Sequence, residues 1–332
     1  MKKQIIKVNA GIISQSSVVG HKEHEGPIGN LFDIYDPSDR FEQKTWEKSE
    51  SEMQKRALGC ALTKINSSVE DIDALFAGDL LNQCVGSAYG LLDYDIPYFG
   101  LYGACSTAIE SISLASMVIS GGLYKRCAAV TSSHFCSAEQ QYRTPLEYGG
   151  QRSPTAQWTV TGSGAFILDS DYTSTGIRIL EVLPGIVIDK GVDDASNMGA
   201  AMAPAAIDTL LRYFEQSETS PADFDAIFTG DLGKEGSMIL REFMSAEGYD
   251  ISGIHLDCGN IIFDSDYQDV HSGGSGCGCS AVVLASYIIP KLLNGEIKDI
   301  LVIGTGAMMS PSSLKQGLSI PAIAHLIRIV KE

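Results

Sequence analysis

The chain has 332 residues, 44% of them apolar, and its 24 Lys and Arg stand against 41 Asp and Glu for a formal net charge of −17. The length suits two domains or one large duplicated unit, and the acidity argues against nucleic acid and against direct electrostatic attraction to anionic lipid. Met1–Ile6 is basic but lacks the apolar run of a signal peptide, no segment has transmembrane length, and the scattered cysteines (Cys60, Cys84, Cys105, Cys127, Cys136, Cys258, Cys277, Cys279) read as reduced thiols of a cytosolic protein rather than a disulfide framework.

In chain order, the first fifty residues read as irregular, with a loop over Val18–Pro27 and a turn at Asp36-Pro37-Ser38-Asp39. Thr45 to Leu62 has the spacing of an amphipathic helix, with Trp46, Met53, Ala57, Leu58 and Ala61 on one face. Ile72–Leu80 reads as a buried strand running into a functional turn at Asp79, and Ile96–Leu101 as a second short buried strand. Gly103-Ala104-Cys105-Ser106-Thr107 then forms a tight turn into a helix over Ala108–Ile119. That places Cys105 at a helix N-terminus, where free N–H groups and the helix dipole favour a thiolate or a bound anion. Cys127–Thr131 continues as a strand toward His134, and Gly162-Ser163-Gly164 as a glycine turn feeding a strand, without the helix that a dinucleotide site needs. Tyr142, Tyr148 and Trp158 lie in a long inter-strand segment that suits a pocket cover.

The second half repeats the first. Ile72-Asp73-Ala74-Leu75-Phe76-Ala77-Gly78-Asp79-Leu80 aligns without gaps on Phe224-Asp225-Ala226-Ile227-Phe228-Thr229-Gly230-Asp231-Leu232, with Gly-Asp-Leu in the same place. The glycine turn before Cys105 is echoed by Gly273, Gly274, Ser275 and Gly276, which lead into Cys277-Gly278-Cys279-Ser280, and Ile300–Gly304 echoes the later strand. Alternating strands and helices predict a layered α/β fold made of two duplicated halves, residues 1–170 and 171–332. Ligands of such folds collect beyond the carboxyl ends of strands, where Asp79, Cys105, His134, Asp231 and Thr305 all fall.

A cysteine after Gly-Ala at a helix start, in a chain of two α/β halves, resembles the thiolase and ketosynthase superfamily. More narrowly, a set of stretches resembles the stage V sporulation protein AD family: Gly26–Asp33, Ala77–Gln83 with Asn82, Gly103–Thr107, Thr131–His134, Glu147–Gln151, Thr159–Ala165, Met198–Ala206 and Ser272–Cys277. This resemblance covers nearly the whole chain and implies a thiolase-like fold of layered sheets and helices, αβαβα. It further implies binding of dipicolinic acid, alone or with calcium, during its uptake into the developing spore. The implied partners are membrane proteins of the same transport system, at the inner forespore membrane; a homodimer is kept as a candidate assembly.

The residues depart from a condensing enzyme where chemistry would need them. An initiating ketosynthase would carry His-Gln-Ala-Asn where this chain has Thr229-Gly230-Asp231-Leu232, and Gly-Asn-Thr where it has Gly273-Gly274-Ser275-Gly276. The Gly-His-Pro of a thiolase is missing, and His134, His255, His271 and His325 are the remaining candidate bases. The expectation is therefore a non-enzymatic pocket, with an acyl-thioester condensing enzyme using Cys105 as the alternative. Its expected ligand-binding set is Asp79, Asn82, Cys105, Ser106, His134, Asp231, Gly273, Gly274, Ser275 and Gly276. Anion binding would fall to backbone N–H groups at the two helix starts. Asp79 and Asp231 would accept from Ser or amide donors or face a calcium ion brought with the ligand, although for either alone a capping or turn role fits better.

Overall fold

Ile6–Val19 forms β1, a 14-residue strand, where the sequence reading expected irregular chain. Its serines disguise the pattern. Ser14 and Ser16 are buried and donate their hydroxyls to the carbonyls of Ala61 and Ala57, at 2.7 and 2.5 Å, so polar residues take up core positions. The computed structural model that shows this describes residues 4–142 and 152–332; Tyr148 and the Glu147–Gln151 stretch lie outside the described residues.

The remaining strands are β2 (Ile34–Tyr35), β3 (Ala74–Gly78), β4 (Tyr98–Leu101), β5 (Arg126–Ser133), β6 (Trp158–Thr159), β7 (Gly162–Asp169), β8 (Ile177–Leu183), β9 (Ala226–Thr229), β10 (His255–Asp257), β11 (Gly274–Ser275), β12 (Asp299–Ala307) and β13 (Ala322–Lys331). The helices are α1 (His21–His24), α2 (Trp46–Lys64), α3 (Val85–Gly90), α4 (Thr107–Ser120), α5 (Phe135–Tyr142), α6 (Met198–Ser217), α7 (Gly233–Ala246), α8 (Cys258–Ile262), α9 (Cys277–Val283), α10 (Ile289–Leu293) and α11 (Pro311–Lys315). Local chemistry sets several boundaries. The Thr45 hydroxyl caps α2, the Asn197 side chain caps α6, and Asp257 caps α8.

The strand order is β10-β9-β12-β13-β8-β1-β7-β5-β3-β4, with β2 beside β1. From the antiparallel β1–β8 pair outward, each side reads antiparallel, antiparallel, parallel, parallel. The recurrent segments β3 and β9 therefore hold matching places, second from either end, and every residue in them is buried. Alternate side chains of these strands enter different cores. Phe76, Cys127, Phe228 and Val302 join α4 and α9 in the central core; Leu75 and Val130 face α2, while Ile227 and Leu301 face α6. The result is helix, sheet, helix, sheet, helix, and strands covered on both faces read as nearly continuous apolar runs.

Two local expectations are corrected. The Ile96–Leu101 stretch supplies an edge strand, with Tyr98 and Phe99 38% and 45% exposed, because among the described residues β4 pairs only with β3. An apolar run does not reveal whether another strand will cover it. Gly162–Gly164 is strand rather than turn: a side chain at Gly164 would stand 2.7 Å from Ala281, so the glycine lets α9 lie directly on β7.

Candidate functional site

The chain between β4 and α4 turns sharply at Ala104, whose φ of +51° is a left-handed conformation that an L-residue adopts at a cost. The turn presents Cys105 immediately before Ser106, the N-cap of α4. The end of β12 passes close behind: a side chain at Gly306 would meet the Gly103 carbonyl at 2.3 Å, so only glycine allows this approach. That contact joins the β4–α4 turn to the end of β12, where Thr305 stands beside Asp231, whose carboxylate Oδ1 accepts the Thr305 hydroxyl at 2.8 Å.

A cavity of about 240 Å³ opens here. Cys105 and Ser275 line it. Leu80, Ala104, Ala138, Tyr102 and Tyr142 contribute from the N-terminal side, and Met198, Ala307, Met309 and Leu314 from the C-terminal side. Among the described lining residues Glu139 is the one charged side chain; the Gln157 amide and the hydroxyls of Thr159, Ser196, Ser275, Tyr102 and Tyr142 are the other polar groups. Tyr142 donates to the Leu80 carbonyl at 2.7 Å, and its oxygen lies 2.9 Å from that of Tyr102. With the Tyr142 proton committed to Leu80, Tyr102 is the donor of that pair.

Of the ten residues expected to bind ligand, the structure brings only Cys105 and Ser275 to the cavity wall. Ser275 Oγ stands 3.8 Å from Cys105 Sγ and donates to Asp231 Oδ2 at 2.9 Å, while the Gly276 N–H reaches the same oxygen at 2.8 Å. Asp231 thus sits behind Ser275, fully buried, with both oxygens occupied by protein donors. Asp79 is likewise buried and satisfied: Oδ1 accepts from the Leu81 N–H at 2.8 Å, and Oδ2 from the Ser87 N–H at 2.7 Å and the Ser87 hydroxyl. Both carboxylates thus accept from serine hydroxyls and backbone N–H groups, the first of the two roles expected of them. Asn82 is exposed and lies outside the cavity, its N–H held by Gln141. The Ser106 hydroxyl turns back to the Gly103 carbonyl at 2.7 Å. Gly273, Gly274 and Gly276 shape the β11 turn without lining the cavity, and β11 pairs with β6.

His134 also stands away from the cavity wall. Its Nδ1 accepts the Cys136 N–H at 3.1 Å, so Nε2 carries the proton and donates to the Asp39 carbonyl at 2.9 Å. Burial holds the ring below its ordinary pKa, and it lines no part of the cavity. His255 is held between Thr229 and Arg241, with burial and then Arg241 lowering its pKa to about 3; His325 accepts from the Gly185 N–H, with burial lowering it to about 4; His271 pairs with Asp269. No described histidine lines the cavity beside Cys105.

Burial first, and the Asp231 carboxylate second, hold the Cys105 thiol well above its ordinary pKa. Burial also raises Asp231, against the lowering effect of its donors. A nucleophile with a base would need the opposite arrangement.

Sequence reasoning missed Glu50. It is buried on α2, accepts the Ser132 and Ser137 hydroxyls at 3.0 and 2.6 Å, and lies next to Asp79 behind the cavity wall. The signal was available, since Glu50 shares the helical face of Met53, Gln54 and Ala57.

The backbone places the chain in a known class. It superposes on a variant of OleA from Xanthomonas campestris with a TM-score of 0.62 at 14% identity, covering 97% of this chain and 98% of that one. It superposes on 3-oxoacyl-[acyl-carrier-protein] synthase III from Aquifex aeolicus with a TM-score of 0.57 at 13% identity, covering 96% and 99%. The corresponding synthase III of Xanthomonas oryzae gives a TM-score of 0.62 at 14% identity, covering 98% and 99%. The fold is thiolase-like.

Within that class the sequence is more specific. Residues 2–330 match the family described as stage V sporulation protein AD, and the Bacillus subtilis protein of that name is 44% identical over 312 residues, 94% of this chain and 91% of its own length. The chain belongs to the stage V sporulation protein AD family.

Proposed function

We propose that the protein acts in sporulation as a non-enzymatic binder of dipicolinic acid, free or as its calcium complex, during uptake into the developing spore. The observation that carries this reading is a largely apolar cavity beside Cys105 that no described histidine lines, with Ser275 and, behind it, Asp231 as the polar neighbours of the sulfur. The cavity is of a size for a small aromatic ring. Positive potential for an anion would have to come from helix starts, against the Glu139 and Asp231 carboxyls: Cys105 precedes α4, Ser196 and Met198 mark the start of α6, and Ser275 precedes α9. No helix among the described residues is long and apolar enough to cross a membrane, so work beside the forespore membrane would be peripheral and would rest on membrane-protein partners.

The enzymatic alternative has one observation in its favour, the presentation of Cys105 on a positive-φ turn at a helix start. Isothermal titration of the full chain with dipicolinate, with and without calcium, tests the binding reading. No heat of binding in either titration would remove it.

A further inference from the structure

We propose that Asp231 keeps Cys105 as an unreactive thiol, so that the cavity floor carries a nucleophile switched off by a carboxylate. This rests on the geometry of Cys105, Ser275 and Asp231 and is independent of which ligand the cavity takes.

Besides burial, two influences of opposite sign act on Cys105. The turn at Ala104 and the start of α4 present the sulfur as a reactive cysteine is presented, and the helix N-terminus favours negative charge there. Against this stands a carboxylate one side chain away. Ser275 Oγ is 3.8 Å from the sulfur and gives its own proton to Asp231 Oδ2 at 2.9 Å. Ser275 therefore offers the sulfur a lone pair, which a thiol S–H can use and a thiolate cannot. The carboxylate cannot swing away. Gly276 N–H holds Oδ2 at 2.8 Å, Thr305 Oγ holds Oδ1 at 2.8 Å, and the Asp231 side chain is fully buried. No ion pair neutralises it among the described residues; burial raises its pKa, the Ser275, Gly276 and Thr305 donors favour the ionised form against that, and in that form its charge acts on Cys105 through a medium of low dielectric. The direction of the Cys105 shift agrees, with burial first and Asp231 next.

Asp231→Asn is the conservative removal of that charge. With the amide oxygen at the Oδ2 position, the Ser275 and Gly276 donors are kept. The amide nitrogen then faces Thr305 Oγ, a hydroxyl that can turn to accept.

The test is alkylation of Cys105 in the full chain by iodoacetamide, followed by peptide mass spectrometry from pH 6 to 10.5. In this reaction an S–C bond forms, the C–I bond breaks, iodide leaves and the thiol proton passes to solvent. Wild type should react slowly, with a midpoint above the ordinary cysteine value of about 9. Asp231→Asn should react at least tenfold faster at pH 8 with a lower midpoint. Thr305→Val, which loses a hydrogen bond to the same carboxylate but leaves its charge, should keep the wild-type midpoint. Three results would overturn the proposal. One is a wild-type midpoint at or below the ordinary value, a measurement that needs no variant. Another is a folded Asp231→Asn protein with the wild-type profile, which would make burial the sole cause. The third is equal acceleration by both variants, which would mean loosened packing rather than charge.

Discussion

Ser137 on α5 donates its hydroxyl to Oε2 of Glu50 on α2 at 2.6 Å, and this buried contact fastens one wall of the cavity to an outer helix. Ala138 and Tyr142, on the same short helix, line the cavity, so the carboxyl acts on the site through the position of α5.

Glu50 should make stability depend on pH. Burial, and then the neighbouring Asp79, raise its pKa from 4.5 to about 8. A carboxyl raised by folding holds its proton more tightly in the folded state. Its contribution is complete below pH 4.5 and is lost as pH climbs toward about 8. Glu50→Gln should melt close to wild type at pH 5 and roughly 2–4 °C above it at pH 8.5. Thermal melts across that range check this, and a variant that loses stability with pH as steeply as wild type would remove Glu50 from the account.

Asp79 should prove structural. Two of its three donors are backbone N–H groups, of Leu81 and Ser87, one on each carboxylate oxygen. In Asp79→Asn the amide nitrogen must face one of them, donor against donor, whichever way it is turned. The expected cost is about 1–3 kcal/mol in urea unfolding. Affinity for dipicolinate should change by the same factor with and without calcium. A selective loss of the calcium complex would put the metal back beside Asp79.

The cavity itself is tested by Cys105→Phe, which adds an aromatic ring to a space of about 240 Å³. Overpacking of about 1–3 kcal/mol should weaken dipicolinate binding roughly tenfold to a hundredfold. Gly274→Val probes something else. Its Cβ would stand 2.8 Å from Ile262 Cγ2, so it should lower the melting temperature rather than block the cavity. Full affinity in a folded Cys105→Phe protein would move the ligand elsewhere.

Incubation with acetyl-CoA or malonyl-CoA should leave no stable acyl group on Cys105, because the thiol is held protonated and no described histidine lines the cavity beside it. Intact-mass measurement checks this. A stoichiometric adduct on Cys105, absent from Cys105→Ser, would restore the condensing-enzyme reading.

The amino-acid sequence by itself determined the elements whose apolar pattern is strong and local. The α2 helix with its Thr45 cap, the recurrent β3 and β9 segments, the Cys105 turn into α4 and the glycine entry to α9 all follow from short-range spacing. The missing histidine and asparagine were also readable, since they are absences at fixed motif positions. Tertiary structure decided the rest. It turned a serine-rich stretch into β1 by giving Ser14 and Ser16 acceptors on α2, and left β4 at an edge because no described strand pairs beyond it. It also decided which polar residues face the cavity. Asp231 meets Ser275 across 44 positions and Thr305 across 74, and His134 meets Asp39 across 95. Whether a buried acid or imidazole is free for a ligand depends on such distant donors and acceptors. Local spacing cannot supply them, because a polar group removed from water takes whatever partner the folded chain brings within reach.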